Sequence, residues 1–313
     1  MELEKSCRKH GYAVRKRFSS GNGDPGDGVE RSLNAPGGQD ALVSWLYRSV
    51  AGRMLLRPLV SPWFSKAGGW LLGTRLSSLA VKPFIRAGHI DMSACKKQKF
   101  DSFNDFFTRE LSGGARPVAQ ETDAWVSPCD ARLCVYPISR EGHFTVKHTP
   151  YTVESILESS ALAKRYIGGM LWLYRLCVDD YHRYMYPVDG VKSSNVHIPG
   201  VFHTVNPIAG EVEPIYKKNT REYCVIRTEN FGTILMMEVG AMLVGKIENR
   251  ELSSATVRRG QEKGNFAFGG STILIMTQPD RVVPDRTILE NTMAGVETKV
   301  RMGEKVGVAK GKV

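Results

Sequence analysis

The chain has 313 residues, 42% of them apolar and 24% charged, which is enough for a large buried core in one catalytic domain or two. Its net charge of +11 calls for an anionic partner. It has no zinc-finger spacing, RNP-like aromatic strand or basic zipper, so a membrane surface is expected rather than nucleic acid.

The start, Met1 to His10, lacks the apolar core of a secretory signal, and Glu2 and Glu4 weaken the transit-peptide flavour of Arg15-Lys-Arg-Phe-Ser-Ser20. Residues 19–40 are rich in Gly, Ser, Asp and Pro and read as part of a flexible extension, residues 1–40. From Ala41, Leu42, Trp45, Leu46, Val50, Met54, Leu55 and Leu59 recur at helical spacing, interleaved with Arg48, Arg53 and Arg57. A second such segment covers residues 70–85. These basic amphipathic helices suit either a cap on the core or an interfacial membrane anchor over residues 41–115. No run of 18 uncharged apolar residues exists to span a bilayer.

Beyond Phe100 the texture is β-rich, with helical pieces expected at 103–111 and 153–162. Short runs at 144–147, 171–174, 224–228, 233–238 and 271–277 are separated by Gly, Pro and Asn turns. No Gly-x-Gly-x-x-Gly strand-turn-helix occurs. The expected fold is α+β: N-terminal amphipathic helices packed on a β-rich antiparallel core, residues 116–313, rather than a doubly wound sheet. The six cysteines, 7, 95, 129, 134, 177 and 224, form no Cys-x-x-Cys pair, so neither a metal site nor a disulfide framework is expected. Cys129 reads as a small core residue.

The chemistry centres on Phe268-Gly269-Gly270-Ser271-Thr272. Two glycines leave the Gly270 carbonyl unshielded, open to attack by the Ser271 hydroxyl; taken alone, the same element suits a tight turn. Six further blocks precede it in order: Ser102-Phe-Asn-Asp-Phe-Phe-Thr-Arg-Glu110, Ser127-Pro-Cys-Asp130, Asp180-Tyr-His-Arg183, Thr204-Val-Asn-Pro-Ile-Ala209, Asn219-Thr-Arg-Glu222 and Glu238-Val-Gly-Ala-Met-Leu-Val-Gly245. Together, over roughly residues 40–313, they resemble the phosphatidylserine decarboxylases.

That resemblance implies self-cleavage at Gly270–Ser271 into chains 1–270 and 271–313, which stay together as a heterodimer. Ser271 would become a pyruvoyl group, the covalent cofactor, through an ester and a dehydroalanine. Its carbonyl would form a Schiff base with phosphatidylserine, and loss of CO2 would leave phosphatidylethanolamine. It also implies a peripheral membrane protein on the cytoplasmic face of the cell membrane, ahead of the mitochondrial inner membrane. A pyruvoyl decarboxylase of a soluble amino acid such as tryptophan, and an unprocessed membrane-binding homologue without catalysis, are the alternatives.

Asp130 matches the family's triad aspartate, although Ala131 follows it where Gly is usual; by itself it also suits a turn after Pro128. His182 matches the histidine of the decarboxylation step. The family's second histidine, three residues on, is replaced by Met185, which cannot act as a base. Non-processing, reliance on Asp130 or water, or another histidine would each account for this; His203 is the candidate histidine, with an ordinary strand histidine as its plainer reading. Arg183 and Lys147 are candidate headgroup cations that also suit pairing with surface acids. Glu238 and Glu262 are expected to anchor backbone near the cleavage loop.

Overall fold

Strands buried on both faces read as continuous apolar runs, and the longest such runs here form the centre of one sheet. A computed structural model describes residues 14–16, 38–242, 246–267 and 271–311. Its helices are α1 (Gly38–Arg48), α2 (Val50–Leu59), α3 (Pro62–Leu72), α4 (Val81–Ala87), α5 (Phe103–Phe107), α6 (Val153–Leu157), α7 (Ser160–Ala163), α8 (Pro207–Gly210), α9 (Ile215–Lys218) and α10 (Arg286–Met293). The first strands are β1 (Val14–Lys16), β2 (Ala124–Val126), β3 (Ala131–Pro137), β4 (His143–Val146), β5 (Thr149–Thr152), β6 (Met170–Leu176), β7 (Arg183–Met185), β8 (Gly190–Lys192) and β9 (Val196–Ile198). They are followed by β10 (Arg221–Arg227), β11 (Thr233–Val239), β12 (Ile247–Asn249), β13 (Ala255–Val257), β14 (Glu262–Phe266), β15 (Ser271–Thr277), β16 (Val282–Pro284), β17 (Glu297–Val300) and β18 (Lys305–Ala309).

The main sheet runs β1-β17-β3-β6-β15-β11-β10-β8-β13, with β9 also on β10. Its pairings are antiparallel except for β1 on β17. The α+β antiparallel architecture expected from the sequence is therefore present. β15 lies between β6 and β11 and is buried at every residue.

Side-chain alternation divides the sheet into two faces. Leu173, Met237 and Leu274 share a cluster with Tyr47, Leu56 and Val60 of the N-terminal helices. Tyr174, Met236 and Ile273 point the other way, into a cluster with Trp125, Tyr184 and Phe266. Those three come from two smaller sheets, β12-β14-β7 and β16-β18-β2.

The helical front end is capped as its serines suggest: Ser49 accepts from Gly52 N and Ser61 from Phe64 N. A Cβ on Gly52 would lie 2.3 Å from the Trp45 carbonyl oxygen, so only glycine lets α2 turn this tightly against α1. The two expected internal helices are shorter than the sequence pattern. α5 stops at Phe107, and Glu158, in the left-handed region at φ 50°, separates α6 from α7. Of the extension, only Val14–Lys16 and the start of α1 fall within the described residues.

Candidate active site

Several strand ends meet at one edge of the main sheet. Ser271 opens β15 and faces Leu176, the last residue of β6. Val239, the last residue of β11, faces Thr272. Asp130 immediately precedes β3, the strand on the far side of β6. Ser271 is fully buried, and its Oγ has no hydrogen-bond partner among the described residues. Alternation puts its side chain on the face of Ile273 and Ile275. The expected cleavage partner, Gly270, lies outside the described residues.

His182 comes to this edge by two routes. The turn that follows Leu176 is closed by Asp180 Oδ2, which accepts from Cys177 N at 2.7 Å. The His182 carbonyl then accepts from Phe266 N, near the end of β14 and just before the Gly-Gly element. The ring is fully buried, with Nδ1 2.9 Å from the Asp180 carbonyl and the Phe107 ring centroid 3.9 Å away. A carbonyl only accepts, so Nδ1 carries a hydrogen. Burial pushes the Asp180 carboxyl up to about 6 against the pull of Arg132, 2.9 Å away.

Asp130 is already engaged. Arg116 Nε donates to its Oδ1 at 2.8 Å, Arg116 Nη2 donates to Oδ2 at 2.5 Å, and Met302 N donates to Oδ1 at 2.9 Å. Met185 N donates to the Pro128 carbonyl at 2.9 Å, so the position of the missing histidine does lie beside this turn. The Met185 side chain packs with Ala124, Val126 and Met302.

His203 stands elsewhere. Its Nδ1 is 3.1 Å from the Tyr47 hydroxyl of α1, on the helix-covered face, and burial lowers its pKa. The Asn219 side chain accepts from its N–H at 2.9 Å and donates to its carbonyl at 2.8 Å. No hydrogen bond among the described residues joins it to Ser271.

The candidate cations pair with acids. Arg183 Nη1 lies 3.0 Å from Glu262, and Lys147 lies 2.9 Å from Glu297. Among the described residues Glu238 and Glu262 bond to side chains rather than to backbone: Lys263 donates to Glu238 at 2.7 Å, and Arg183 and Arg250 hold Glu262. A buried charge is retained only with a partner close by, and the partners here come from distant strands. Cys129 is a fully buried core residue, as expected, and its thiol is pushed well up by burial.

Arg116, Phe107 and Lys263 are the site residues that sequence reasoning passed over. Phe107 lies inside a quoted block and Lys263 stands in the run that leads to the Gly-Gly element, whereas Arg116 carries no local signal.

A buried serine whose hydroxyl has no partner among the described residues, with a buried histidine held through Nδ1 near the same strand ends, is the equipment of an enzyme that uses an activated hydroxyl. The sequence matches the phosphatidylserine decarboxylase family over residues 103–308. It is 41% identical over 266 residues to phosphatidylserine decarboxylase proenzyme 2 of Clostridium acetobutylicum, covering 85% of this chain and 91% of the relative. It is 38% identical over 273 residues to the phosphatidylserine decarboxylase proenzyme of Clostridium novyi, covering 86% and 92%. The corresponding Clostridium perfringens proenzyme is 37% identical over 270 residues, covering 85% and 92%. The chain belongs to the phosphatidylserine decarboxylase family, a family of pyruvoyl-dependent carboxy-lyases.

Proposed function

We propose that this protein converts phosphatidylserine to phosphatidylethanolamine and CO2 with a pyruvoyl group made from its own Ser271. The observation that carries this reading is the Ser271 hydroxyl. It is fully buried and has no hydrogen-bond partner among the described residues, at the first position of the central strand, directly after the Gly-Gly element. A buried hydroxyl left without a bond costs about 1–3 kcal/mol, a cost that a purely structural position would remove by using alanine. Conversion to a carbonyl group removes that hydroxyl and suits the position. The pyruvoyl group supplies a carbonyl for the substrate amine and an electron sink beside the bond that breaks.

The residues around it have separable tasks. His182 keeps Nδ1 on the Asp180 carbonyl, so Nε2 is the atom that exchanges a proton with the reacting carbon. Phe107 covers one side of the ring and excludes water from it. Asp180 is tied to Arg132 and to Cys177 N and holds the turn in place.

Cleavage would leave a complex of chains 1–270 and 271–313. β15, β17 and β18 of the short chain pair with β6, β11, β3 and β2 of the long one, which keeps the two together.

The substrate also needs a docking surface. No helix among the described residues is long and apolar enough to cross a membrane. Instead, Trp63 and Trp70 are 76% and 75% exposed, and Leu55, Leu71, Leu76 and Leu79 are also exposed. Arg53, Arg57, Lys66 and Arg75 lie in the same helical stretch. Aromatic and leucine side chains beside cations suit insertion among anionic headgroups. The thiols of Cys95, Cys129, Cys134, Cys177 and Cys224 are free, which suits the reducing cytoplasmic side of that membrane.

Intact mass of the purified protein tests the reading. Two fragments meeting at Gly270–Ser271, with a blocked amino terminus on the shorter, are expected, and Ser271→Ala should remain whole. An active wild type that stays full-length would refute the mechanism. Turnover of tryptophan in place of phosphatidylserine vesicles would refute the substrate.

A further inference from the structure

The proton acceptor for self-cleavage is missing from its usual place, since Met185 stands there. Both carboxylate oxygens of Asp130 are already engaged, Oδ1 by Arg116 Nε and the Met302 N–H and Oδ2 by Arg116 Nη2. His203 is bonded to Tyr47 on the opposite face of the sheet.

Ser271's own face carries one buried carboxylate close to it. Glu238 on β11 is the cross-strand partner of Ile273, and Ser271 lies two residues along β15 on the same face. Such diagonal neighbours have Cβ atoms within about 7–8 Å, inside the reach of long side chains. Glu238 is fully buried. Its Oε2 accepts from Lys263 Nζ at 2.7 Å and from Asn249 Nδ2 at 3.1 Å. Its Oε1 is buried without a hydrogen-bond partner among the described residues, as is Ser271 Oγ. An unsatisfied acceptor and an unsatisfied donor, both buried, therefore stand on one face of adjacent strands.

We infer that Glu238, held and charge-balanced by Lys263, is the base that takes the Ser271 hydroxyl proton in this chain. The inference rests on the reading of Ser271 given above. As the proton moves from Oγ to Oε1, Oγ bonds to the Gly270 carbonyl carbon. The carbon–nitrogen bond then breaks, and the same proton passes from Glu238 to the departing Ser271 nitrogen. An amide becomes an ester and a free amine, with no co-reactant and no net change in protons.

The surroundings suit the task. Burial raises the proton affinity of Glu238, with Lys263 opposing, so it is a stronger base than an exposed glutamate. The other groups that face it among the described residues are Asn249, Glu222, Tyr184, Tyr186, Cys224 and Lys192. Lys263 is also fully buried, and its second bond, 2.8 Å to Asn249 Oδ1, fixes it in place.

The test follows cleavage by intact mass in the full chain, with Glu238→Gln, Glu238→Asp and the double variant Glu238→Gln/Lys263→Met. The double variant removes both charges, so no buried charge is left unpaired. Cleavage should slow by roughly 100-fold or more in Glu238→Gln and in the double variant, the usual contribution of a general base. Glu238→Asp should recover part of that loss, which a merely structural role would not require. Hydroxylamine, which intercepts esters, should release a Gly270 hydroxamate fragment from wild type and none from the double variant. Wild-type cleavage together with equal cleavage in a double variant that melts cooperatively would overturn this inference alone. So would a hydroxamate fragment from that variant. A wild-type chain that stays whole would overturn the reading of Ser271 and this inference with it.

Discussion

Glu297 offers a measurable link between the two halves of the protein. It lies on β17, beyond the Gly270–Ser271 bond, and its partners Arg175 and Lys147 lie before that bond. After cleavage this ion triad would join two chains. Glu297 is 1% exposed, and burial alone would raise its pKa. Arg175 and Lys147 outweigh burial and hold the carboxyl at about 2 against an ordinary 4.5. That displacement corresponds to about 3 kcal/mol of stability at neutral pH. Because the folded value is depressed, the contribution is complete above 4.5 and is lost as pH falls towards 2. Glu297→Gln keeps the size but not the charge, and leaves two largely buried cations without their anion. In a Ser271→Ala background, which keeps one chain, urea unfolding should show a loss of about 3 kcal/mol at neutral pH. The gap should close as pH is lowered towards 2, where the wild-type carboxyl is protonated as well. In the cleaved protein, the same substitution should release chain 271–313 at lower urea. A loss below about 1 kcal/mol, as for an exposed pair, or a gap that persists unchanged at low pH, would refute this account of the triad.

His182→Ala should still cleave but lose roughly 100-fold or more of its decarboxylation, read by ethanolamine lipid formed per cleaved protein; failure to cleave would move His182 into the processing step. Trp63→Ala/Trp70→Ala should weaken sedimentation with anionic vesicles by roughly 10-fold or more, and high salt should weaken the wild type further; binding indifferent to both lipid charge and salt would leave these helices as a cap only. His203→Ala should cleave like wild type with a melting temperature lowered by the lost Tyr47 bond, and an uncleaved product would return His203 to the reaction. Met185→His combined with Arg116→Ala frees Asp130 and restores an imidazole beside it, so it should rescue cleavage in Glu238→Gln; no rescue would show that the Pro128 turn cannot seat that ring.

Much of the fold was legible in the amino-acid order. The run Ser271–Thr277 became a strand with the expected ends, and 233–238 became β11 with one further residue. Antiparallel pairing followed from short strands separated by turn residues, since parallel crossovers need long connections. Helix ends were less legible, because Glu158 adopts a left-handed turn that no glycine announces. The candidate reactive serine was also readable, since Gly269, Gly270 and Ser271 are neighbours in the chain and the chemistry proposed for them is local. What surrounds that serine was not, because charge pairing in a core is decided across strands. Asp130 meets Arg116, Glu238 meets Lys263, and His203 meets Tyr47 over 156 residues of chain. Local order named the candidate nucleophile; only the strand order, which aligns residues of β11 and β15 on one buried face, determined which acid shares that face with it, because burial makes an unpaired charge too costly to leave to chance.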